Sequence, residues 1–435
     1  MYQSLLRPHH VPAASITATQ FVHEWADRLH GQGWDMVDAS RGRPSLPYGD
    51  AGQRALQDYI ATLEAVRLAP YGTDTLGEPA YRQEVARAFA RDYGTEVDWR
   101  NIAFTTGGQF GLALTFYTLL KANPEGMILA PCPWYLNHHE LAKMALHMLG
   151  QPERDIFLPL PLLHSDGAYL DPDDITALQE RAPSVAAILL CQPGNPAGNV
   201  FSADDKQALT TLLDAFPDAP VMLDEAFFET AFDPVSFTEQ HLYPSIKERC
   251  FLFRSGTKAL GFAGERLAVM AIPPAYLEEF TWLQSRWMGN PPLSSQAILS
   301  AILASLSMQD RQSIADYYSQ NASLLYDALK ALGLDCIPVP QGGFFTLMDA
   351  SKLLGQPIPE KAIQAFGFSH TVMSNDLDIA MSVLAGYGQA ANQGLATMPA
   401  SCFGIAPEKG WLRVSFSITR DELHTLIARL QAIFG

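Results

Sequence analysis

Alternating short apolar runs and helical patterns across the middle of the chain predict an α/β protein built on a mostly parallel sheet. A change of texture near residue 300 predicts a second, smaller α+β domain. A third observation supports the first: polar, glycine-bearing tails succeed the apolar runs, and in open α/β sheets ligands bind beyond the carboxyl ends of the strands. The runs read as strands are 102–105, 127–130, 186–190, 221–223, 251–253 and 267–270. Thr106-Gly-Gly-Gln109 comes after the first and Pro131-Cys-Pro-Trp-Tyr135 after the second. Gln192-Pro-Gly-Asn-Pro-Ala-Gly198 comes after the third, Asp224-Glu-Ala-Phe227 after the fourth, and Arg254-Ser-Gly-Thr-Lys258 after the fifth.

Beyond residue 300 a long helical stretch at 305–332 leads to Gly342-Gly-Phe-Phe-Thr-Leu347, a strand pattern. Residues 376–385 read as helix and 411–416 as strand, and the N-terminal segment Asp35-Met-Val-Asp-Ala-Ser40 is expected to join this smaller unit. Asn290-Pro-Pro292 is read as the break between lobes. The expected organisation is residues 1–60 as an N-terminal segment contributing to the small domain, 61–300 as the large domain, and 301–435 as the C-terminal small domain.

Composition narrows the function. The 435 residues suit about two or three domains at ~150 residues each. With 48% apolar and 17% charged residues there is ample core and no disordered bias. A net charge of −17 argues against a nucleic-acid partner. No apolar stretch approaches the ~20 residues of a membrane span, and the N-terminus lacks the apolar core of a signal peptide. Five widely spaced cysteines without a Cys-x-x-Cys pair fit reduced thiols in the cytoplasm, with no zinc site. The strand tails carry neither a metal-ligand cluster nor a dinucleotide fingerprint.

Lys258 carries the most chemistry. It is flanked by the hydroxyls of Ser255 and Thr257, with Arg266 eight positions later. Hydroxyls and a guanidinium suit a phosphate, and an amine suits an aldehyde, so the grouping fits a phosphate-bearing aldehyde such as pyridoxal 5′-phosphate (PLP).

These motifs, in this order from Asp35 to Arg413, resemble the class I/II (aspartate aminotransferase-like) family of fold-type I PLP enzymes. The resemblance implies a three-layer large domain and a small domain drawn from both chain termini. It implies that Lys258 forms the Schiff base with the cofactor and then moves a proton at Cα. Asp224 is similar to the acid that pairs with the pyridinium nitrogen, with the adjacent Glu225 as competitor. Asn195 resembles the residue that hydrogen-bonds the ring oxygen. Gly107 and Gly108, opening a helix, would bind phosphate with Ser255, Thr257 and Arg266; Gln109 would add a donor or simply sit on the helix surface. Tyr71 resembles a tyrosine that reaches the phosphate from a neighbouring subunit, which implies a homodimer with shared sites. Tyr135, or its neighbour Trp134, would stack on the ring. Arg413 matches the arginine that binds the substrate α-carboxylate, Gly42 a glycine at the substrate mouth, and Pro399–Gly404 a loop beside it. The implied activity is an aminotransferase exchanging an amino acid with a 2-oxo acid through an external aldimine and Cα deprotonation.

One position departs from the pattern. The family's tyrosine three residues after the pyridinium acid is Phe227 here. The loss of that hydrogen bond keeps a lyase, cyclase, decarboxylase or oxidase open as the alternative. Arg286 resembles an arginine for a substrate's second carboxylate, one residue out of register, with Arg41 and Arg43 as other candidates.

Overall fold

A computed structural model describes residues 18–47, 49–66, 70–161, 163–164, 167–168, 178, 184–239, 241–256, 258–336 and 338–435. Thr257, expected to bind phosphate, lies outside the described residues.

The central sheet has seven strands in the order Ile102–Thr105, Ala268–Ala271, Cys250–Ser255, Val221–Glu225, Val185–Cys191, Met127–Cys132 and Phe157–Pro161. Only Ala268–Ala271 runs antiparallel to its neighbours. Side chains alternate across a strand, and here both faces are apolar, as a parallel sheet covered on both sides requires. Val221 and Leu223 join one core cluster and Met222 the other; Cys250 and Leu252 oppose Phe251 and Phe253 in the same way. Helices pack over each face, giving three layers. The expected strands are all present. The Phe157–Pro161 strand is an addition to them: its two prolines lower strand propensity, and it is tolerated because it lies at the sheet edge.

A second core forms around a three-stranded antiparallel sheet of Phe345–Asp349, Trp411–Ser415 and Met398–Pro399. Asp35–Asp38 pairs in parallel with Gln393–Ala396, so an N-terminal strand is stitched to the C-terminal region. Phe21 and Val22 of the helix Ala18–Gly31 share this core with Tyr318, Leu325, Leu412 and Leu430.

The helical stretch expected at 305–332 is the helix Met308–Ala331, which starts where Ser307 and Asp310 form a capping box; a separate helix, Leu293–Ser305, precedes it. Asn290–Pro292, read as the break between lobes, leads into Leu293–Ser305, whose Ile298, Leu299 and Ile302 lie in the first core. The helix Asp50–Val66 packs against that same helix.

Beneath the sheet lies a buried ion network. Asp92 accepts hydrogen bonds from Arg254 and Arg311, each at 2.7 Å, and from Arg91 at 2.8 Å. Arg254 also pairs with Glu229 and lies over the Phe228 ring, 4.0 Å from its centroid. Burial alone would raise the Asp92 pKa, but Arg254 and Arg311 outweigh it and hold it at about 2. The stability this carboxylate contributes is present above its unfolded value and is lost as pH falls through about 2. Asp92→Asn leaves buried guanidiniums short of a counter-charge. It is expected to cost about 3–5 kcal/mol in urea unfolding at neutral pH; a loss below about 1 kcal/mol would remove the network from the account.

Candidate active site

The strand ends and the second core enclose a cavity of about 570 Å³. Lys258, Asp224, Asn195, Tyr135, Gly108, Gln109, Ser255, Arg266, Phe227, Arg413 and Gly42 all line it. Most of the described residues expected at the site are thus brought together, and Gly107 sits directly behind them.

Strand alternation decides which acid faces the cavity. Asp224 lies on the same face of the sheet as Met222, whereas Glu225 lies with Leu223 on the other. Asp224 accordingly lines the cavity, with His138 Nε2 at 2.8 Å from Oδ2 and the Ala226 amide donating to Oδ1 at 3.0 Å. Glu225 is buried on the opposite side, accepting hydrogen bonds from Tyr93 at 2.9 Å and Gln192 at 3.2 Å and paired with His241. The same alternation sends Arg254 into the ion network and Ser255 to the cavity. His138 is a site residue that sequence reasoning misses. It lies on the helix Leu136–Met148 just past Tyr135, and nothing in its local sequence distinguishes it from a core histidine.

Lys258 is half-buried, and its Nζ donates to the Gly42 carbonyl at 3.4 Å and lies 5.8 Å from the Phe227 ring centroid. Burial, reinforced by Arg413 and Arg266 and opposed by Asp224, lowers its pKa to about 8. A lysine so placed is a nucleophile and base near neutral pH, whereas an exposed one is a solvated cation.

Arg413 is fully enclosed. Its Nη1 donates to Asn195 Oδ1 at 3.0 Å and its Nη2 to the Ser40 carbonyl at 2.6 Å. The guanidinium lies against Phe345 and Phe403, 3.9 and 4.6 Å from their centroids, and its buried Nε has no hydrogen-bond partner among the described residues. Burial lowers its pKa to about 10. Gly42 leaves no room for a side chain, since a Cβ there would collide with Phe345.

An anion cradle closes the other end. The 15-residue helix Gly108–Ala122 points its free amides at the cavity. Arg266 adopts a left-handed backbone conformation (φ 49°), uncommon for an arginine. A Cβ on Gly107 would meet Arg266 Nη2 at 2.7 Å, so the glycine lets the guanidinium approach. Gln109 is exposed at the rim.

Tyr135 lines the cavity and accepts a hydrogen bond from Asn137 at 2.7 Å, while Trp134 packs away from it against Phe157. Phe227 stacks edge-on against Phe344, 5.1 Å between centroids. Two expected residues lie elsewhere. Tyr71 is 92% exposed, and Arg286 lies by Trp282, outside the cavity of its own chain. Among the described residues no group of three or more His, Cys, Asp or Glu is placed to hold a metal ion, and no helix is long and apolar enough to cross a membrane.

A family model described as aminotransferase class I and II matches residues 49–430. An aspartate aminotransferase of Geobacillus stearothermophilus is 24% identical over 426 residues, covering 96% of each chain. An aspartate/prephenate aminotransferase of Nitrosomonas europaea is 22% identical over 435 residues, covering 98% of each. The crystal structure of the Rhizobium meliloti aspartate aminotransferase is similar in fold, with a TM-score of 0.80 at 21% identity over 98% of both chains.

The lowered pKa predicts a selective reagent. Reductive methylation of the cofactor-free protein with formaldehyde should modify Lys258 increasingly as pH rises through about 8. Exposed lysines should react at higher pH, as peptide mass mapping would reveal. If Lys258 lags behind the exposed lysines, its amine is not held in the neutral form.

Proposed function

The chain belongs to the class I and II aminotransferase family, and from that premise we propose that the cavity binds PLP and exchanges an amino group between an amino acid and a 2-oxo acid. The single observation that carries this reading is the convergence of a desolvated lysine, a strand-end carboxylate and an enclosed arginine on one cavity.

The residues present suit the cofactor. Lys258 would hold its aldehyde carbon, Asp224 its ring nitrogen, and Asn195 its ring oxygen. The Gly107–Gly108 helix start, Ser255 and Arg266 would hold its phosphate, where the Gly107 cradle leaves space for the guanidinium. When bound, PLP supplies an electron sink for the pair left on the substrate's Cα. His138 holds Asp224 in place, so the carboxylate would meet the ring nitrogen without reorganising. Tyr135 supplies an aromatic face, worth about 0.5–1.5 kcal/mol beyond its burial.

Arg413 orients the substrate. Its Nε, without a partner among the described residues, and the two adjacent phenylalanines suit a planar carboxylate, and clamping that group fixes which Cα bond lies over the sink. Lys258 lines the same cavity and would take the Cα proton of a substrate held by Arg413. Enclosure by Phe227, Phe345 and Phe403 excludes water from that transfer. Phe227 cannot donate the hydrogen bond that a tyrosine would; an absent bond of this kind is worth about 1.5–3 kcal/mol. The relatives matched are nonetheless aminotransferases by name, and transamination is the reading adopted.

Tyr71 and Arg286 fit a homodimer with shared sites. A Cβ on Gly72 would lie 3.4 Å from Asn290, so both residues belong to one side of the chain, where Trp282 is also exposed. In a dimer that side would face the partner's cavity. We place the enzyme in the cytoplasm, supported by its five unpaired thiols, and assign the small lobe to segments from both chain ends.

Two outcomes are expected. Single amino acids added to the PLP-loaded enzyme should yield the 2-oxo acid and leave the cofactor as the amine, regenerated by a second 2-oxo acid in ping-pong order; release of ammonia, CO₂ or peroxide instead would overturn transamination. Arg413→Lys keeps the charge but loses the fork, and kcat/KM should fall at least about 100-fold with PLP binding unchanged. A loss under about threefold would remove Arg413 from substrate binding.

A further inference from the structure

One wall of the cavity comes from the helix Ala18–Gly31, whose two sides differ. Phe21, Val22 and Leu29 are buried in the second core, while Thr19, Gln20 and His23 line the cavity. None of these three is needed for the carboxylate, the cofactor or the proton transfer. They line the same cavity as Arg413.

Two features define what this wall accepts. Arg41, which lines the cavity, is matched by Asp27 at 2.7 Å and Asp38 at 3.2 Å, whereas Arg43 is exposed and has Asp38 only at 3.7 Å. Arg41 also donates to the His23 carbonyl at 3.0 Å, which fixes the helix against the Ser40–Arg43 segment. The second feature is His23 Nε2 itself, a buried nitrogen with no hydrogen-bond partner among the described residues. A buried polar atom left unmatched is costly, and in a cavity wall it is placed to meet a ligand atom.

We propose that His23 Nε2 recognises the substrate's side chain, and that the preferred amino donor carries an uncharged hydrogen-bonding side chain, an amide or a hydroxyl, rather than a second carboxylate. The proposal rests on the aminotransferase reading above. Burial, then the neighbouring Arg41, pushes the His23 pKa down to about 4, so the ring stands neutral and offers a hydrogen bond without a charge. A second carboxylate entering beside His23 would meet a neutral imidazole and an Arg41 already paired with Asp27 and Asp38, whereas an amide or hydroxyl meets one matched partner.

The test is a kinetic panel on the PLP-loaded enzyme with glutamine, serine, methionine and glutamate as donors. Glutamine or serine should exceed glutamate in kcat/KM by about tenfold or more, the worth of one well-placed hydrogen bond. His23→Leu should lower the glutamine-to-methionine ratio of kcat/KM about tenfold through KM, with PLP binding intact, and His23→Gln should restore part of it. A preference for glutamate, lost in Arg286→Ala, would overturn the proposal and assign side-chain recognition to Arg286. An unchanged glutamine-to-methionine ratio in His23→Leu would overturn it as well. If no amino acid exchanges with any 2-oxo acid, the aminotransferase reading itself fails.

Discussion

The desolvated amine of Lys258 is the constraint on which the rest of the site turns. An ammonium buried beside two guanidiniums is unfavourable, and the structure resolves this by shifting the lysine toward its neutral form rather than by pairing it. Asp224 is the one carboxylate facing that group among the described cavity residues, and His138 and the Ala226 amide hold it too firmly to swing over and neutralise the amine. The cavity therefore keeps an excess of positive charge, from Arg266 at one end and Arg413 at the other. That excess suits the two anions an amino-acid substrate and a phosphorylated cofactor bring with them.

This polarity is sustained by the alternation of a buried strand. On the opposite face, Glu225 and Arg254 point through the sheet and are balanced there by Tyr93, Asp92 and Glu229. The sheet thus separates a matched ion network on one face from an unmatched cationic cavity on the other. Arg413 completes the arrangement from the second core, reaching across to Asn195 and held against two phenylalanine rings. Its fixed orientation is supplied by packing, so binding a carboxylate requires little further ordering.

Much of this is legible in the chain because strands announce themselves by short apolar runs and sites by the polar tails just beyond those runs. Lys258, Asp224, Arg266 and Arg413 each sit close to such a run. The features that escape sequence reasoning depend on neighbours remote in the chain. His138 becomes functional only because its helix lays it against Asp224, 86 positions away. The choice between Trp134 and Tyr135 requires knowing which ring faces Phe157. The Phe157–Pro161 strand hides behind its prolines. Tyr71 and Arg286, placed by resemblance, do not reach the cavity within one chain.

Where the cofactor is held is the most direct question to put to the protein. Borohydride reduction of the PLP-loaded enzyme, with digestion and peptide mass mapping afterwards, reads this without depending on any substrate. A single pyridoxyl adduct on the peptide carrying Lys258 is the predicted result. An adduct on a different lysine, or none at all on a protein that has bound PLP, would contradict the account.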